Sequence, residues 1–470
     1  MKRLNTFITL FVLCVVMAFG QNAKYVFYFI GDGMGVNQVL GAEYYRRAVM
    51  GELGIKPLLF PTFPHTTVAT TYSASSDVTD SAASGTALAC GHKTLNGTLG
   101  LLPDLETPVS SVAVWARESG KRVGVCTSVS VDHATPAAFY AHVPKRNMYY
   151  KIGHQLPESG FDFFGGSEFK DPYGKKAGVK GEDVYTACGK AGYTIARGYK
   201  DYNKKAQKAE KMILIQEEGK SRSSLPYAID RTKKDLKLAD ITRAGINFLM
   251  KEPEKGFFFM VEGGMIDWAC HSNDGATAFH EIEDMDEAIK VAYEFYCQHP
   301  DETLIVITAD HETGGLVLTR GNYELNFGAF KYQKVSEHKY TSVIKDLRKK
   351  YNNHIPWKVM KKSLMKNFGF WDKLKLTADQ EARIKAVYEK TLTGQDPKMI
   401  KSEYRRDEPM STMAKKVINE IAMASWATGD HSAGYVPVIA IGAGADKFDA
   451  RTDNAEIPVK IAEAAGYKRD

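Results

Sequence analysis

Unbroken apolar runs that empty into polar turns constrain this chain most. Tyr25–Ile30, Gly256–Val261 and Leu304–Ala309 contain no alternation, as expected of strands in a parallel sheet buried on both faces. Each is followed at once by residues that carry chemistry. The first empties into Gly31-Asp32-Gly33-Met34-Gly35, the second into Glu262-Gly263-Gly264, and the third into Asp310-His311. In open α/β sheets ligands bind at the carboxyl ends of the strands, where these turns lie. The glycine turn matches neither G-x-G-x-x-G nor a lysine-bearing phosphate loop, so Asp32 between glycines reads as a metal ligand.

Other segments repeat the pattern. Ser111 to Ser119 is expected to form a helix ended by Gly120, before a strand over Arg122 to Thr127. Past that strand come His133, Thr135, His142 and Arg146. Leu236 to Leu249 reads as an amphipathic helix. Asp267 and His271 stand four apart, sharing one face if that piece is helical. Gly429-Asp430-His431 precedes a closing strand over Val436–Ile441. Ser81 opens a run of small residues behind Asp80, which suits an N-cap, and a helix N-terminus attracts anions. Glu281, Glu283, Asp284, Asp286 and Glu287 lie opposite Ile282, Met285 and Ile289 and read as a solvated face.

A net charge of +6 over 470 residues requires no nucleic-acid partner. Lys2 and Arg3, the apolar run Phe7–Phe19 and Gly20 form a signal-peptide pattern over residues 1–20. The mature chain, 21–470, is therefore expected to be exported, periplasmic or extracellular, with no stable membrane insertion. It keeps Cys90, Cys126, Cys188, Cys270 and Cys297, an odd number without a CxxC pair. Residues 147–225 show only a short strand around Phe161–Phe164, and no chemistry is assigned to them. Residues 321–410 read as a Lys-rich, mostly helical insertion, either covering the active-site edge or forming a surface excursion. Thr377 to Gln380 within it has capping-box spacing. Ser411 is expected to open the last helix.

Together these segments resemble alkaline phosphatases. The resemblance rests on Phe29 to Gly35, Thr79 to Ala83, His133 to Ala137 with Arg146, Val261 to Gly264 with Asp267 and His271, Thr308 to His311, and Gly429 to His431. It implies an α/β/α sandwich around a mainly parallel central sheet, with a largely helical insertion near the C-terminal third. It implies a phosphomonoesterase acting on small phosphate monoesters through phosphorylated Ser81, with Arg146 gripping the phosphate. Two Zn2+ and one Mg2+ per chain are implied: one zinc on Asp267, His271 and His431, the second on Asp32, Asp310 and His311, and magnesium on Asp32, Thr135 and Glu262. Asp80, His133 and Trp268 would support these sets. His133 stands where enterobacterial members carry an acidic residue, and Trp268 where enterobacterial and mammalian members carry lysine and histidine. A homodimer is compatible with the resemblance.

Two other readings compete. A phosphodiesterase of the same superfamily usually lacks the magnesium set, whose Thr135 and Glu262 are present. A non-catalytic phosphate or metal scavenger would not need a serine hydroxyl at the helix start. A sulfatase would require a C/S-x-P-x-R pattern that Ser81-Ala82-Ala83-Ser84-Gly85 lacks.

Overall fold

A computed structural model describes residues 22–469; the expected export segment, 1–20, lies outside the described residues. The strands of the central sheet are β1 (Tyr25–Ile30), β2 (His65–Thr70), β3 (Arg122–Thr127), β4 (Phe163–Gly166), β5 (Tyr193–Arg197), β6 (Lys211–Ile215), β7 (Phe257–Glu262), β8 (Thr303–Thr308), β9 (Val436–Gly442) and β10 (Thr452–Asp453). Their order is β10-β2-β9-β8-β1-β7-β3-β4-β6-β5. Only β9 runs against its neighbours, so the sheet is mainly parallel.

The main helices are α1 (Val36–Ala48), α2 (Ser81–Cys90), α3 (Val112–Glu118), α4 (Leu238–Leu249), α5 (Met265–His271), α6 (Gly275–Tyr296), α7 (Glu337–Lys350), α8 (Trp357–Phe368), α9 (Ala378–Thr391), α10 (Pro409–Ala422) and α11 (Ile457–Ala465). Helices α1, α4 and α6 pack together on one side of the sheet, while α2, α3 and α11 pack on the other. The continuous apolar runs follow from this sandwich. Phe27 of β1 meets Phe257 and Phe295 of α6 in edge contacts at 5.1 and 5.6 Å. Its neighbour Tyr28 points the other way, to Phe139 at 6.1 Å. Burying each such ring contributes roughly 1.5–3 kcal/mol, so a charged residue on either face of β1 would be costly.

Register fixes where the turns emerge. Ile30 lies opposite both Glu262 and Thr308, and Glu262 lies opposite Thr127. Strands β1, β7, β8 and β3 therefore release their chains at one level of the sheet. Gly33 allows the first turn to close against α5, with φ of +73°. A Cβ there would stand 2.8 Å from the Asp267 Cα.

Several expectations are corrected. The strand expected at Phe161–Phe164 runs from Phe163 to Gly166, and residues 147–225 also contribute β5 and β6. Ser411 lies inside α10, which starts at Pro409 behind Glu408, and α11 follows later in the chain. The acidic stretch of α6 is not a solvated face. Glu281, Asp284 and Asp286 are 5, 8 and 1% exposed, leaving only Glu287 in solvent and Glu283 half-buried. The reason is that loops cross this helix with backbone N–H groups to satisfy. Asp286 accepts from Leu59 N at 2.8 Å and Glu281 from Ala228 N at 2.5 Å, while Arg231 clamps Asp284 with both amino groups.

The region 321–410 is mostly helical, as expected. Thr377 and Gln380 form the capping box of α9. A small hairpin pairs Ile400–Lys401 with Arg406–Asp407 just before α10. All five described cysteines are unpaired, and Cys297 alone among them is exposed. No helix among the described residues is long and apolar enough to cross a membrane.

Removing Arg231 would leave the Asp284 carboxylate buried without its counter-charge. Arg231→Met is expected to cost about 3–5 kcal/mol, the scale for breaking a buried pair from one side. Glu287→Gln on the exposed side should change stability by less than about 0.5 kcal/mol. Urea unfolding midpoints of the two variants check the contrast.

Candidate metal centre

Three overlapping clusters form where the strand ends meet the N-terminus of α2. Asp267, His311 and His431 make one, Asp32, Asp310 and His311 another, and Asp32, His133 and Glu262 the third, with ligand atoms within 4.8 Å in each. His271 joins the first. Its Nε2 lies 3.3 Å from Asp267 Oδ2 and 3.2 Å from His431 Nε2. Every carboxylate and imidazole read from the sequence as a candidate ligand is thus gathered here, and His133 enters the third cluster as a potential ligand in its own right.

Hydrogen bonding fixes which atom each histidine offers. His271 Nδ1 donates to the Gly429 carbonyl at 2.6 Å, and His431 Nδ1 donates to the Thr79 carbonyl at 2.8 Å. A carbonyl can only accept, so in the neutral rings both Nε2 atoms carry lone pairs. Without a metal a proton on His271 Nε2 bridges the two nitrogens at 3.2 Å beside the carboxylate, and a divalent cation would replace that proton by taking both lone pairs. Thr313 orders the same corner, its Oγ1 donating to Asp267 Oδ1 at 2.6 Å and lying 3.2 Å from His311 Nδ1.

The carboxylates make the same demand. Both oxygens of Asp32, Asp310 Oδ2, Asp267 Oδ2 and Glu262 Oε1 are buried without a hydrogen-bond partner. So is the Thr135 hydroxyl, which sits beside Glu262. Isolated buried carboxylates are not stable as anions without pairing or a metal. Accordingly, burial and the charges of Asp310, Asp267 and Glu262 push Asp32 well above the carboxylate range. Burial lifts Glu262 to about 7, and burial with Asp267 lifts Asp310 to about 8. Burial also opposes the charge on Asp267, but His271, His431 and His311 outweigh it and hold that carboxyl far below the usual range. His271 resists desolvation through Asp267 and rises to about 9. The residues therefore fit divalent cations: mixed imidazole and carboxylate sets suit zinc, and oxygen-rich ones magnesium.

Ser81 begins α2 in the middle of these groups. Asp80 caps the helix, its Oδ1 accepting from Ala83 N at 3.0 Å and Gly97 N at 2.9 Å. The cap holds the Ser81 Oγ 3.1 Å from His311 Nε2. The other oxygen of Asp80 accepts from Arg146 Nη1 at 2.9 Å. Although burial raises it, Asp80 stays below the usual range through Arg146 and these N–H groups. Burial and the Arg146 charge keep His133 neutral. Trp268 stands edge-on to His133 at 6.1 Å.

A cleft of about 570 Å³ opens over this centre, lined among others by Asp80, Arg146, His271 and His431. It also exposes residues the sequence reading missed: Tyr149, Lys170, Glu403 and Tyr404. Lys170 and Tyr149 come from residues 147–225, whose Gly- and Lys-rich sequence carries no recognisable motif. Tyr404 sits on the two-residue-strand hairpin, whose pairing leaves no periodic signal.

The alkaline phosphatase family profile matches residues 23–467, nearly the whole described chain. The chain belongs to the alkaline phosphatase family. Alkaline phosphatase 3 of Bacillus subtilis is 31% identical over 455 residues, covering 94% of this chain and 89% of that one. The crystal structure of the cold-active alkaline phosphatase from Shewanella sp. superposes with a TM-score of 0.77 at 27% identity, covering 94 and 99% of the two chains. That of the Thermus thermophilus alkaline phosphatase gives 0.76 at 26% identity, covering 96 and 93%. Like its family, the chain is a metal-dependent phosphomonoesterase, and phosphate monoesters are its substrates.

Stripping divalent cations should make stability fall as the pH rises from about 7 to 9. His133 and His311 are held below the imidazole range, so in this window they are neutral folded and unfolded and add no slope. Asp310 and His271 have raised values, about 8 and 9, and keep protons that the unfolded chain has already released. Their stabilisation is therefore lost as the pH climbs through those values. Thermal midpoints of chelator-treated protein across this window check the sign; a flat or rising series contradicts it.

Proposed function

We propose that Ser81 is the nucleophile of this phosphatase and that the reaction passes through a phosphoserine. The observation that carries this reading is the Ser81 hydroxyl at a capped helix N-terminus, 3.1 Å from His311 and ringed by unpartnered carboxylates. Two zinc ions and one magnesium ion complete the proposal. Asp267, His271 and His431 would hold one zinc and Asp32, Asp310 and His311 the other. Asp32, Thr135 and Glu262 would hold magnesium, with His133 beside them. Bound there, the cations supply Lewis-acid stabilisation of the attacking and leaving oxygens of an in-line displacement.

The chain's own residues do the rest. Arg146, tied to Asp80, presents its remaining planar N–H donors to two nonbridging phosphate oxygens. The free N–H groups at the start of α2 add positive potential at the same place. Ser81 Oγ bonds to phosphorus as the ester oxygen departs, and the serine proton ends on the released alcohol. Water then cleaves the phosphoserine, restoring the hydroxyl and freeing inorganic phosphate.

Residues 21–470 act in this reading as one catalytic domain, with 321–410 as an insertion over the active-site edge. The insertion role is supported by Glu403 and Tyr404 in the cleft wall. Export to the periplasm or beyond the cell, with 1–20 removed, rests on the charged–apolar–small pattern at the start of the chain. Homodimeric assembly is carried over from the family likeness alone.

Ser81→Ala should retain its metal content, lose the labelled phosphoenzyme and lose activity by at least about a thousandfold. Phosphate recovered on another residue of the wild type would sink the role of Ser81. A second comparison separates monoesterase from diesterase. Charge on the third nonbridging oxygen, present only in a monoester, is what the Glu262 corner would stabilise. Glu262→Gln is therefore expected to lower monoester turnover at least about tenfold more than diester turnover. Parallel assays on both substrate types, with zinc content measured, decide it; equal losses leave Glu262 as a structural cap of β7.

A further inference from the structure

We propose that Tyr404 is a positioning residue for Arg146, carried into the centre by the hairpin of the 321–410 region. It rests on the phosphate-gripping role of Arg146 proposed above. Arg146 is held from two directions. At one end its Nη1 donates to Asp80, which ties the guanidinium to the helix that starts with Ser81. At the other end Nη2 donates to the Tyr404 hydroxyl at 3.4 Å, with His133 Nε2 at the same distance. A single pin at Asp80 leaves the guanidinium plane free to rotate, and a bidentate grip on phosphate depends on that plane. The second contact fixes it. Because the phenol is a neutral acceptor, it orients the cation without cancelling the charge that phosphate needs.

Tyr404 is itself firmly placed. Its ring lies flat on Trp268, centroids 4.5 Å apart at 13°, and edge-on to His271 at 5.5 Å and His133 at 5.9 Å. The hairpin turn closes through Ser402 N to the Arg405 carbonyl at 3.0 Å. Arg405 anchors it, donating to Ser224 Oγ at 3.1 Å and lying 4.7 Å over the Trp268 ring. At the base, Arg348 grips Glu408 with two hydrogen bonds of 2.8 and 3.0 Å, and Thr341 donates to Asp407 at 2.9 Å. A side chain secured this way can transmit an orientation. It also explains why Trp268 occupies its site: the indole is the platform on which Tyr404 rests.

The test is a double-mutant cycle on the metal-loaded enzyme with Tyr404→Phe, Arg146→Ala and the pair. Phenylalanine keeps the stack and removes only the hydroxyl. The KM for a phosphate monoester and the inhibition constant of inorganic phosphate should rise together by about three- to tenfold, with kcat within about twofold. In the Arg146→Ala background the Tyr404→Phe change should have no further effect on either constant. Unchanged constants in Tyr404→Phe, beside a large loss in Arg146→Ala, overturn the proposal and leave the arginine role standing. So does a Tyr404→Phe loss of the same size with and without Arg146. An Arg146→Ala enzyme inhibited by phosphate as strongly as wild type overturns both assignments. Zinc content and thermal midpoint, expected to stay at wild-type values in Tyr404→Phe, separate positioning from a role in holding the fold.

Discussion

Four carboxylates converge in the interior of this protein, and their mutual repulsion is the constraint to which the rest answers. Asp32, Glu262, Asp267 and Asp310 are all fully buried. An interior with so much unsatisfied negative charge is stable only if protons or cations share it. The imidazoles of His271, His311 and His431 are turned toward these groups by hydrogen bonds on their far nitrogens. Such an arrangement costs folding energy wherever metal is scarce. It is tolerated because the same electrostatic deficit that strains the fold is what draws cations to one point, and in the proposed function those cations in turn draw a phosphate ester.

The scaffold concentrates that deficit with few devices. Parallel strands must all point one way, so their exits share an edge, and a common register brings Ile30, Thr127, Glu262 and Thr308 to one level. The aromatic rings of β1 and β7 lock the strands together with α6 below this edge. Phe27, Phe257, Phe259 and Phe295 interlock at 5.1 to 6.4 Å. Candidate ligands mounted one or two residues beyond such strands have little freedom to drift, which suits a site whose geometry must not relax around each substrate.

Most of the candidate site is legible in the sequence because it is local. An apolar strand and the turn after it are contiguous, so Asp32, Glu262, Asp310 and His311 announce themselves by what precedes them. Asp267 and His271 are one helical turn apart. What distant segments bring was not legible. The buried carboxyl of Asp286 serves N–H groups 226 and 227 residues away, and no periodicity within α6 could reveal them. Tyr404 arrives on the turn between two strands of two residues each, too short to leave a pattern. Strands β5 and β6 sit among lysines and glycines that dilute their apolar signal. The ligand role open to His133 depends on a side-chain direction that spacing does not encode.

The unpaired cysteines have a practical meaning. Four of them sit fully out of reach in separate parts of the structure, and only Cys297, at the end of α6, meets solvent. Cys126 lies in the central strand β3, Cys270 in α5 between two candidate ligands, Cys90 at the close of α2, and Cys188 near the sheet's far edge. The molecule thus carries its own set of chemical reporters. Of these five described thiols a reagent marks one on the folded protein, and each further one it marks names the region that has opened. Because no cross-link joins these regions, the order of marking reads out how the sandwich comes apart.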